Sequence, residues 1–280
     1  MAAKKITPDA YWRAREEAQR RKNITSEAEY QKEIDRIYAE MMDSIQTQIN
    51  SFYSRYAAKE GITMAEAKKK VAQMDIDAYA RKAKKYVKTK DFTNQANEEM
   101  RLYNAAMKIN RLEMLKANIG LEMVASFDEL QKFFDQTLTD ETLKEFERQA
   151  GILGETVVNN QKYARAIVNA SFHNATYSER IWGQQDQLRA EIGKQIAIGL
   201  IQGKHPDVLA RNLRDAIAVS KSDAERLMHT EMRRAQTEVA KQSYERNGNT
   251  QYGFMATNPK GACPICRAID GKIFEVKDMM

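Results

Sequence analysis

Residues 25–61 read TSEAEYQKEIDRIYAEMMDSIQTQINSFYSRYAAKEG, and this stretch decides the fold class. Its apolar side chains recur at steps of three and four residues, which places them along one face of an α-helix. These apolar residues are Ile34, Tyr38, Met41, Ile45, Ile49, Phe52 and Tyr56. Ser26 and Glu29 have the spacing of a capping box, which predicts that the helix begins at Ser26.

A lysine-rich region follows this helix. Gly61 favours a helix end, and Thr63 with Glu66 has the spacing of a second capping box. A new helix is therefore predicted to begin there. It carries a basic stretch, KKKVAQMDIDAYARKAKKYVKTK at residues 68–90, with nine Lys or Arg against two Asp.

The basic stretch has two interpretations. In the first, it is a solvated helix face. In the second, the stretch binds along the phosphate groups of a nucleic acid or on an acidic partner, with Tyr79 and Tyr86 placed between the basic residues. Such binding depends on salt and not on nucleotide sequence. The candidate nucleic-acid-binding residues are Lys68, Lys69, Lys70, Arg81, Lys82, Lys84, Lys85 and Lys88. No base-reading motif accompanies them.

The composition favours a mainly α fold and excludes several classes of protein. Of the 280 residues, 30% are charged, and no proline lies between Pro8 and Pro206 to break a helix. We expect an elongated multi-helix assembly with a small C-terminal β-hairpin or knuckle. No run approaches the roughly 20 apolar residues of a membrane span, and the N-terminus lacks the apolar core of a secretory signal. The net charge of +6 permits an acidic partner without requiring one.

Residues 91–151 remain helical in pattern. A turn predicted at Thr139–Asp140 divides them into two or three antiparallel helices. GILGETVVNN at residues 151–160 follows as the main break of the chain, because it combines two glycines with a short β-branched run.

A second helical block ends near Gly248. Pro206 lies near a predicted helix start, Ser222 and Glu225 form another capping box, and Asn247–Gly248 is a turn pair. A strand, a loop with CxxC, an Asp-Gly turn and a second strand are predicted after it. The chain is thus divided into a long-helix region, a helical core and a β-knuckle, at residues 1–155, 156–247 and 248–280.

Cys263 and Cys266 form a CxxC pair and are the only two cysteines of the chain. The pair can be half of a zinc site, a redox couple, or a tight turn with two reduced thiols. Zinc needs four ligands, whereas His173, His205 and His229 lie in or beside predicted helices far from the pair. A redox couple is expected after a strand in a βαβ unit, but a long helix precedes this pair. A reduced knuckle turn is therefore favoured.

Sequence motifs of the common hydrolases and nucleotide-binding enzymes are absent. There is no GxSxG, no HExxH and no P-loop. His229 and Glu231 are two positions apart, so on a helix their side chains point away from each other and cannot work as a pair. The chain is predicted not to be an enzyme.

Five short pieces of sequence resemble those of a known family. In chain order they are IW at 181–182, GLIQG at 199–203, LARNL at 209–213, SKSDAERLMHTE at 220–231 and CPICRAIDGKIF at 263–274. Their order resembles the minor head proteins of tailed phages, the Mu F-like or head-morphogenesis family. The motif residues are Trp182, Arg226, Thr230, Glu231, Cys263, Cys266, Asp270, Gly271 and Lys272.

The resemblance implies a virion component that is not an enzyme. It would lie in the head interior or at the portal vertex, and in the host cytoplasm during assembly. Its implied partners are the portal protein and capsid or scaffold proteins, and its implied roles are procapsid assembly, DNA packaging or ejection. Double-stranded DNA is a further candidate partner, without sequence preference, and no membrane contact is expected. The alternatives are a non-specific DNA-binding helical protein, or the non-catalytic part of a longer enzyme or toxin.

The chain departs from the family pattern in three places. His229 stands where an arginine is common, and TNPKGAC replaces the usual approach to the first cysteine. The family also continues past the second strand to a His-Pro-x-Cys-Arg-Cys segment, whereas this chain ends at KDMM. The resemblance implies that Cys263 and Cys266 face that segment, so they form at most half of a metal site. No cofactor is expected, and zinc only in a longer chain.

Overall fold

The computed structural model describes the chain except for seven N-terminal residues, the last residue and five internal gaps. The described ranges are 8–56, 88, 94–154, 160–202, 206–256 and 262–279. Their elements are α1 (Pro8–Tyr56), α2 (Asn94–Leu153), α3 (Asn160–Val168), α4 (Tyr177–Ile201), α5 (Pro206–Arg246), β1 (Gln251–Gly253), α6 (Pro264–Ile269) and β2 (Ile273–Glu275). The prediction of a mainly α chain with a small C-terminal β-hairpin is confirmed.

The apolar stripe of α1 is buried as predicted, from Ile34 to Phe52; the side chain of Tyr56 lies outside the described residues. The predicted helix start at Ser26 is wrong, because α1 already begins at Pro8. The residues between are mostly good helix formers without Gly or Pro. Side-chain pairs three and four positions apart, such as Arg20 with Glu17, also support this segment.

The predicted turn at Thr139–Asp140 is also wrong. Helix α2 runs through it, so the expected two or three antiparallel helices are one. The hydroxyl of Thr142 donates to the carbonyl of Leu138 one turn earlier, and both side chains are buried. A threonine that bonds to its own helix in this way does not interrupt the helix.

The predicted break after α2 is confirmed. Helix α2 ends at Leu153, and Gly154 has a φ of +78° while its N–H bonds to the carbonyl of Ala150. Glycine is the residue that takes such a left-handed helix end at least cost. Residues 155–159 lie outside the described part of the chain.

Helix α5 has the predicted ends but not the predicted interior start. It begins at Pro206 and ends at Arg246, before Asn247–Gly248, where Gly248 has a φ of +70°. The capping box at Ser222–Glu225 does not begin a helix, because no Gly or Pro separates it from the preceding turns. The predictions on Gly61, Thr63 and Glu66 fall outside the described residues.

The chain folds into two compact units. Unit 1 comprises Met1–Asp35, Gln131–Arg180 and Ala224–Met280, and unit 2 comprises Arg36–Leu130 and Ile181–Asp223. The three regions predicted at residues 1–155, 156–247 and 248–280 stay a prediction, because the two units group residues by their proximity in space and not by their position along the chain.

Each unit has a core of its own. In unit 1, α2, α3 and α5 share a cluster of Phe146, Ala164, Ile167, Ala235 and Val239. In unit 2, the rings of Tyr38 and Phe127 meet edge to face at 6.0 Å. The Tyr38 hydroxyl also bonds to Ser220, at the buried side of α5. Aromatic packing with a satisfied hydroxyl is a stable arrangement for a buried tyrosine.

The C-terminal strands pair antiparallel, with Tyr252 opposite Phe274. Helix α6 lies between them in sequence, so the predicted order of strand, CxxC, helical turn, Asp-Gly turn and strand is confirmed. We refer to β1, α6 and β2 as the cysteine knuckle. Across the described ranges, no helix is long and apolar enough to cross a membrane.

Candidate functional site

A buried carboxylate on α5 is the centre of the candidate site. Glu231 is only 1% exposed, because it lies on the same buried side of α5 as Met228 and Ala235. Its Oε2 atom is 2.7 Å from Nε of Arg234, and its Oε1 atom is 3.7 Å from Nη1 of Arg180. These two guanidinium groups compensate a charge that burial would otherwise penalise heavily. We refer to Glu231, Arg180 and Arg234 as the Glu231 clamp.

The two arginines of the clamp also bind backbone carbonyl groups. Arg234 donates from Nη1 to the carbonyl of Ile167 at 2.9 Å and from Nη2 to that of Val168 at 3.1 Å. These carbonyls end α3 and have no partner within that helix, and a cation there is favourable. Arg180 donates to the carbonyl of Phe172, and its guanidinium carbon lies 5.8 Å from the centroid of that ring.

The clamp borders a turn with an uncommon backbone. His173 and Asn174 have φ values of 48° and 64°, in the left-handed region that non-glycine residues rarely adopt. Phe172 and Ala175 exchange two backbone hydrogen bonds across this turn, of 3.0 and 3.3 Å. Backbone of this kind persists where its surroundings hold it. The bond from Arg180 to the Phe172 carbonyl is one such contact, so the clamp shapes the connection between α3 and α4.

His229 and Glu231 lie on different sides of α5, as predicted. The His229 side chain is 57% exposed, and its Nε2 atom is 3.7 Å from Oε1 of Glu27. Arg233 donates to the same Glu27 oxygen at 2.7 Å. The exposed side of α5 therefore contacts α1 through Glu27, while Glu231 lies on the buried side of α5, in the interior of unit 1.

The other helical motif residues take separate positions. Thr230 is exposed and donates to the carbonyl of Arg226 at 2.9 Å, so its hydroxyl is used within α5. Arg226 is itself exposed, and Trp182 is half-buried on α4 in unit 2.

Cys263 and Cys266 lie three positions apart at the start of α6, and both carry free thiols. Cys263 caps the start of α6, Pro264 follows it, and the N–H of Cys266 donates to Cys263 Sγ at 3.4 Å. This N–H lowers the pKa of the Cys263 thiol. The hydrogen bond between the two side chains raises the pKa of the Cys266 thiol.

The cysteine pair provides two metal ligands at most. No group of three or more His, Cys, Asp or Glu side chains with metal-binding geometry exists within the described ranges. A tetrahedral zinc site needs four ligands. The half-site at Cys263 and Cys266 stays a prediction, and its other ligands would have to come from outside these ranges.

The Asp-Gly-Lys motif forms the turn that closes the knuckle. Asp270 Oδ1 accepts the N–H of Ala256 at 2.9 Å and lies 3.4 Å from the Arg13 guanidinium. Gly271 has a φ of +76° and donates its N–H to the carbonyl of Phe254 at 2.8 Å. The backbone carbonyl of Lys272 accepts the Phe254 N–H at 2.9 Å.

The motif therefore ties the knuckle to itself and to α1. Arg13 is a partner of this turn that the sequence did not indicate, because it lies 257 residues from Asp270. The side chain of Lys272 is exposed.

Acidification should loosen this turn. The Ala256 N–H, with Arg13, lowers the pKa of Asp270. A carboxyl whose pKa is lowered by folding stabilises the fold above its unfolded pKa, about 3.9 for Asp. That contribution is lost as the pH falls through the folded pKa. Hydrogen exchange of the Ala256 and Gly271 amides, followed from pH 6 down to about pH 2, should show the loss.

The matched control for that experiment is Asp270→Asn. It should weaken protection already at pH 6 and remove the step below about pH 4 that belongs to the Asp270 carboxyl. A step of unchanged size in Asp270→Asn would show that another group causes the pH dependence.

The candidate nucleic-acid-binding residues fall almost entirely outside the described part of the chain. Only Lys88 is described: the residue is helical, and its side chain is exposed. The geometry of the basic stretch, residues 68–90, therefore stays a prediction.

Residues 190–280 match the family model described as phage Mu protein F like protein. The C-terminal third of the chain is therefore similar to this phage head morphogenesis family, and we refer to residues 190–280 as the Mu F-like segment. The predicted resemblance is confirmed for this segment. The Mu F-like segment contains Glu231 and Arg234 of the clamp and the whole cysteine knuckle, while Arg180 precedes it.

The chain also resembles one curated protein, the NAD(+)–arginine ADP-ribosyltransferase EFV of Enterococcus faecalis (strain ATCC 700802 / V583). The two are 27% identical over 123 residues, which is 42% of this chain and 25% of that protein. The chain thus spans a quarter of the length of this relative. No solved structure matches the chain.

Proposed function

We propose that the chain is a minor head protein that associates with the portal or the head interior of a tailed phage. The match of residues 190–280 to the Mu F-like family carries this proposal. Assistance in procapsid assembly, DNA packaging or ejection is the role we assign to it.

The use of the motif residues supports a structural role. Glu231 binds two arginines, and the arginines bind backbone carbonyls. Asp270 accepts a backbone N–H and contacts Arg13. These side chains are used to hold helices and turns together, as expected for a protein whose function is assembly.

Co-purification with the portal protein of the same phage tests the proposal. The tagged portal protein should retain the full chain in buffer of low ionic strength, and a portal protein from an unrelated phage should not. Because surface charge contacts weaken with salt, the comparison is repeated at high salt to separate apolar from ionic docking. Failure to bind at low salt would refute the association with the portal.

We also propose that the chain has no transferase activity of its own. The resemblance to the E. faecalis enzyme covers a quarter of that protein, so three quarters of the enzyme have no counterpart in the match. Incubation of the chain with NAD+ and an arginine-containing acceptor should transfer no ADP-ribose, with the E. faecalis enzyme as positive control. Transfer above background would make the chain an enzyme.

Sequence-independent binding of double-stranded DNA is the second candidate function, and the nine cations of residues 68–90 favour it. Changing Lys68, Lys69, Lys70, Lys84 and Lys85 to Gln should weaken DNA binding. The slope of log affinity against log salt should fall by about 0.9 for each phosphate that the variant no longer neutralises. The same five positions changed to Arg keep the charge and serve as the control. Equal affinity and slope in the Gln variant would remove the basic stretch as the binding site.

A further inference from the structure

The two thiols of the cysteine knuckle lie within reach of each other. Residues three apart in a helical turn have Cα atoms about 5 Å apart, inside the window of about 4.4–6.8 Å that a disulfide needs. The hydrogen bond of 3.4 Å from the Cys266 N–H to Cys263 Sγ places this sulfur over the same turn. The pair therefore needs little backbone movement to close.

The surroundings leave the pair open to reagents. Cys263 is exposed and Cys266 is partly exposed. Helix α6 has no buried residue, and Ile265 between the cysteines is 74% exposed. A segment with so little packing depends on hydrogen bonds and covalent links for its order.

We propose that Cys263 and Cys266 form a thiol–disulfide switch that exchanges with small-molecule disulfides such as oxidised glutathione. The Cys263 thiolate attacks one sulfur of oxidised glutathione, which forms a mixed disulfide and releases one glutathione thiolate. Cys266, after losing its proton to solvent, attacks the Cys263 sulfur. The Cys263–Cys266 disulfide forms and the second glutathione leaves, so the protein pair loses two electrons and oxidised glutathione gains them.

The two states differ in how firmly the knuckle is held. In a glutathione-reduced compartment the pair remains as two thiols, and in an oxidising medium it closes. Closure restricts the unfolded conformations of the segment between the cysteines. The disulfide form should therefore order α6 and, through Asp270 and Gly271 at its end, the turn that contacts α1.

Treatment of the full chain with oxidised glutathione tests this switch. After removal of metal with a chelator, the chain should lose both titratable thiols and the mass of two hydrogens, and dithiothreitol should restore both. Exchange of the α6 amides should slow about tenfold in the oxidised form. The single variant Cys266→Ser should instead stop at one glutathionyl adduct on Cys263, because the second exchange lacks its thiol.

Four outcomes would overturn the switch. The wild-type chain could accumulate the same mixed disulfide as Cys266→Ser, or link two chains through cysteine. It could also close without any change in exchange of α6. In the fourth outcome, the wild-type chain carries zinc that blocks the reaction until a chelator removes it, and Cys266→Ser releases none. This result would assign the thiols to a metal instead.

Discussion

Replacing Glu231 with alanine should destabilise unit 1 by about 3–5 kcal/mol, the usual cost of removing one partner of a buried ion pair. Glu231 is 1% exposed, and the side chain of Arg234 is 12% exposed. The substitution therefore leaves a largely buried guanidinium without its counter-charge. Arg234 still bonds to the carbonyls of Ile167 and Val168, so the loss should be felt at the end of α3.

Two measurements separate this effect from a general weakening. Urea unfolding followed by far-UV circular dichroism gives the change in stability. Hydrogen exchange over residues 167–175 reports on the turn that the clamp borders. Protection of these amides should fall more than that of unit 2, since both ion-pair partners of Glu231, Arg180 and Arg234, belong to unit 1.

The matched control is Glu245→Ala on the same helix. Glu245 is exposed, so its loss should change stability by less than about 0.5 kcal/mol. Glu231→Gln keeps the shape of the side chain and one acceptor oxygen but removes the charge. Its loss of stability should therefore lie between those of Glu231→Ala and Glu245→Ala. If Glu231→Ala and Glu245→Ala were equal, the clamp would have no role in stability.

The elements of this fold that local sequence determines were predictable. The apolar stripe of α1 requires a buried helix face, and it is buried in the structure. Gly154, Gly248 and Pro206 mark helix boundaries for reasons of backbone conformation alone. The capping boxes at Ser26 and Ser222 failed because a cap stabilises a helix start only where the preceding residues leave the helix. Here the preceding residues are helical, and their carbonyl groups already accept the N–H groups that the cap would otherwise bind.

The partners in the candidate site could not be predicted in the same way. Glu231 and Asp270 were recognised as motif residues, but their partners Arg180 and Arg13 belong to other helices. No periodicity or spacing connects residues that only the tertiary fold brings together. The left-handed turn at His173–Asn174 also lacks glycine, and its only local signal is the tolerance of asparagine for that region. The motif thus indicated where the site is, whereas the structure showed what holds it.

The core of unit 1 gives the second large effect. Phe146 is fully buried in the cluster with Ala164, Ile167, Ala235 and Val239. Phe146→Ala should destabilise unit 1 by about 3–5 kcal/mol, because it removes buried apolar surface and leaves a cavity among side chains from three helices. The cluster includes two alanines, whose short side chains cannot move to fill the space. The Arg246 guanidinium, 5.8 Å from the Phe146 ring centroid, would no longer face an aromatic ring there.

Thermal and urea unfolding of the full chain measure this loss, with Leu121→Ala as the control on the same helix. Leu121 is 68% exposed, so its truncation should cost less than about 0.5 kcal/mol. Phe146→Leu refills most of the volume and should recover the larger part of the stability. A Phe146→Ala chain as stable as Leu121→Ala would mean that α2, α3 and α5 are not held together by this cluster. Ile167 packs in the cluster and its carbonyl accepts from Arg234, so in that case the Glu231 clamp, and not the cluster, would hold Ile167 at the start of the turn after α3.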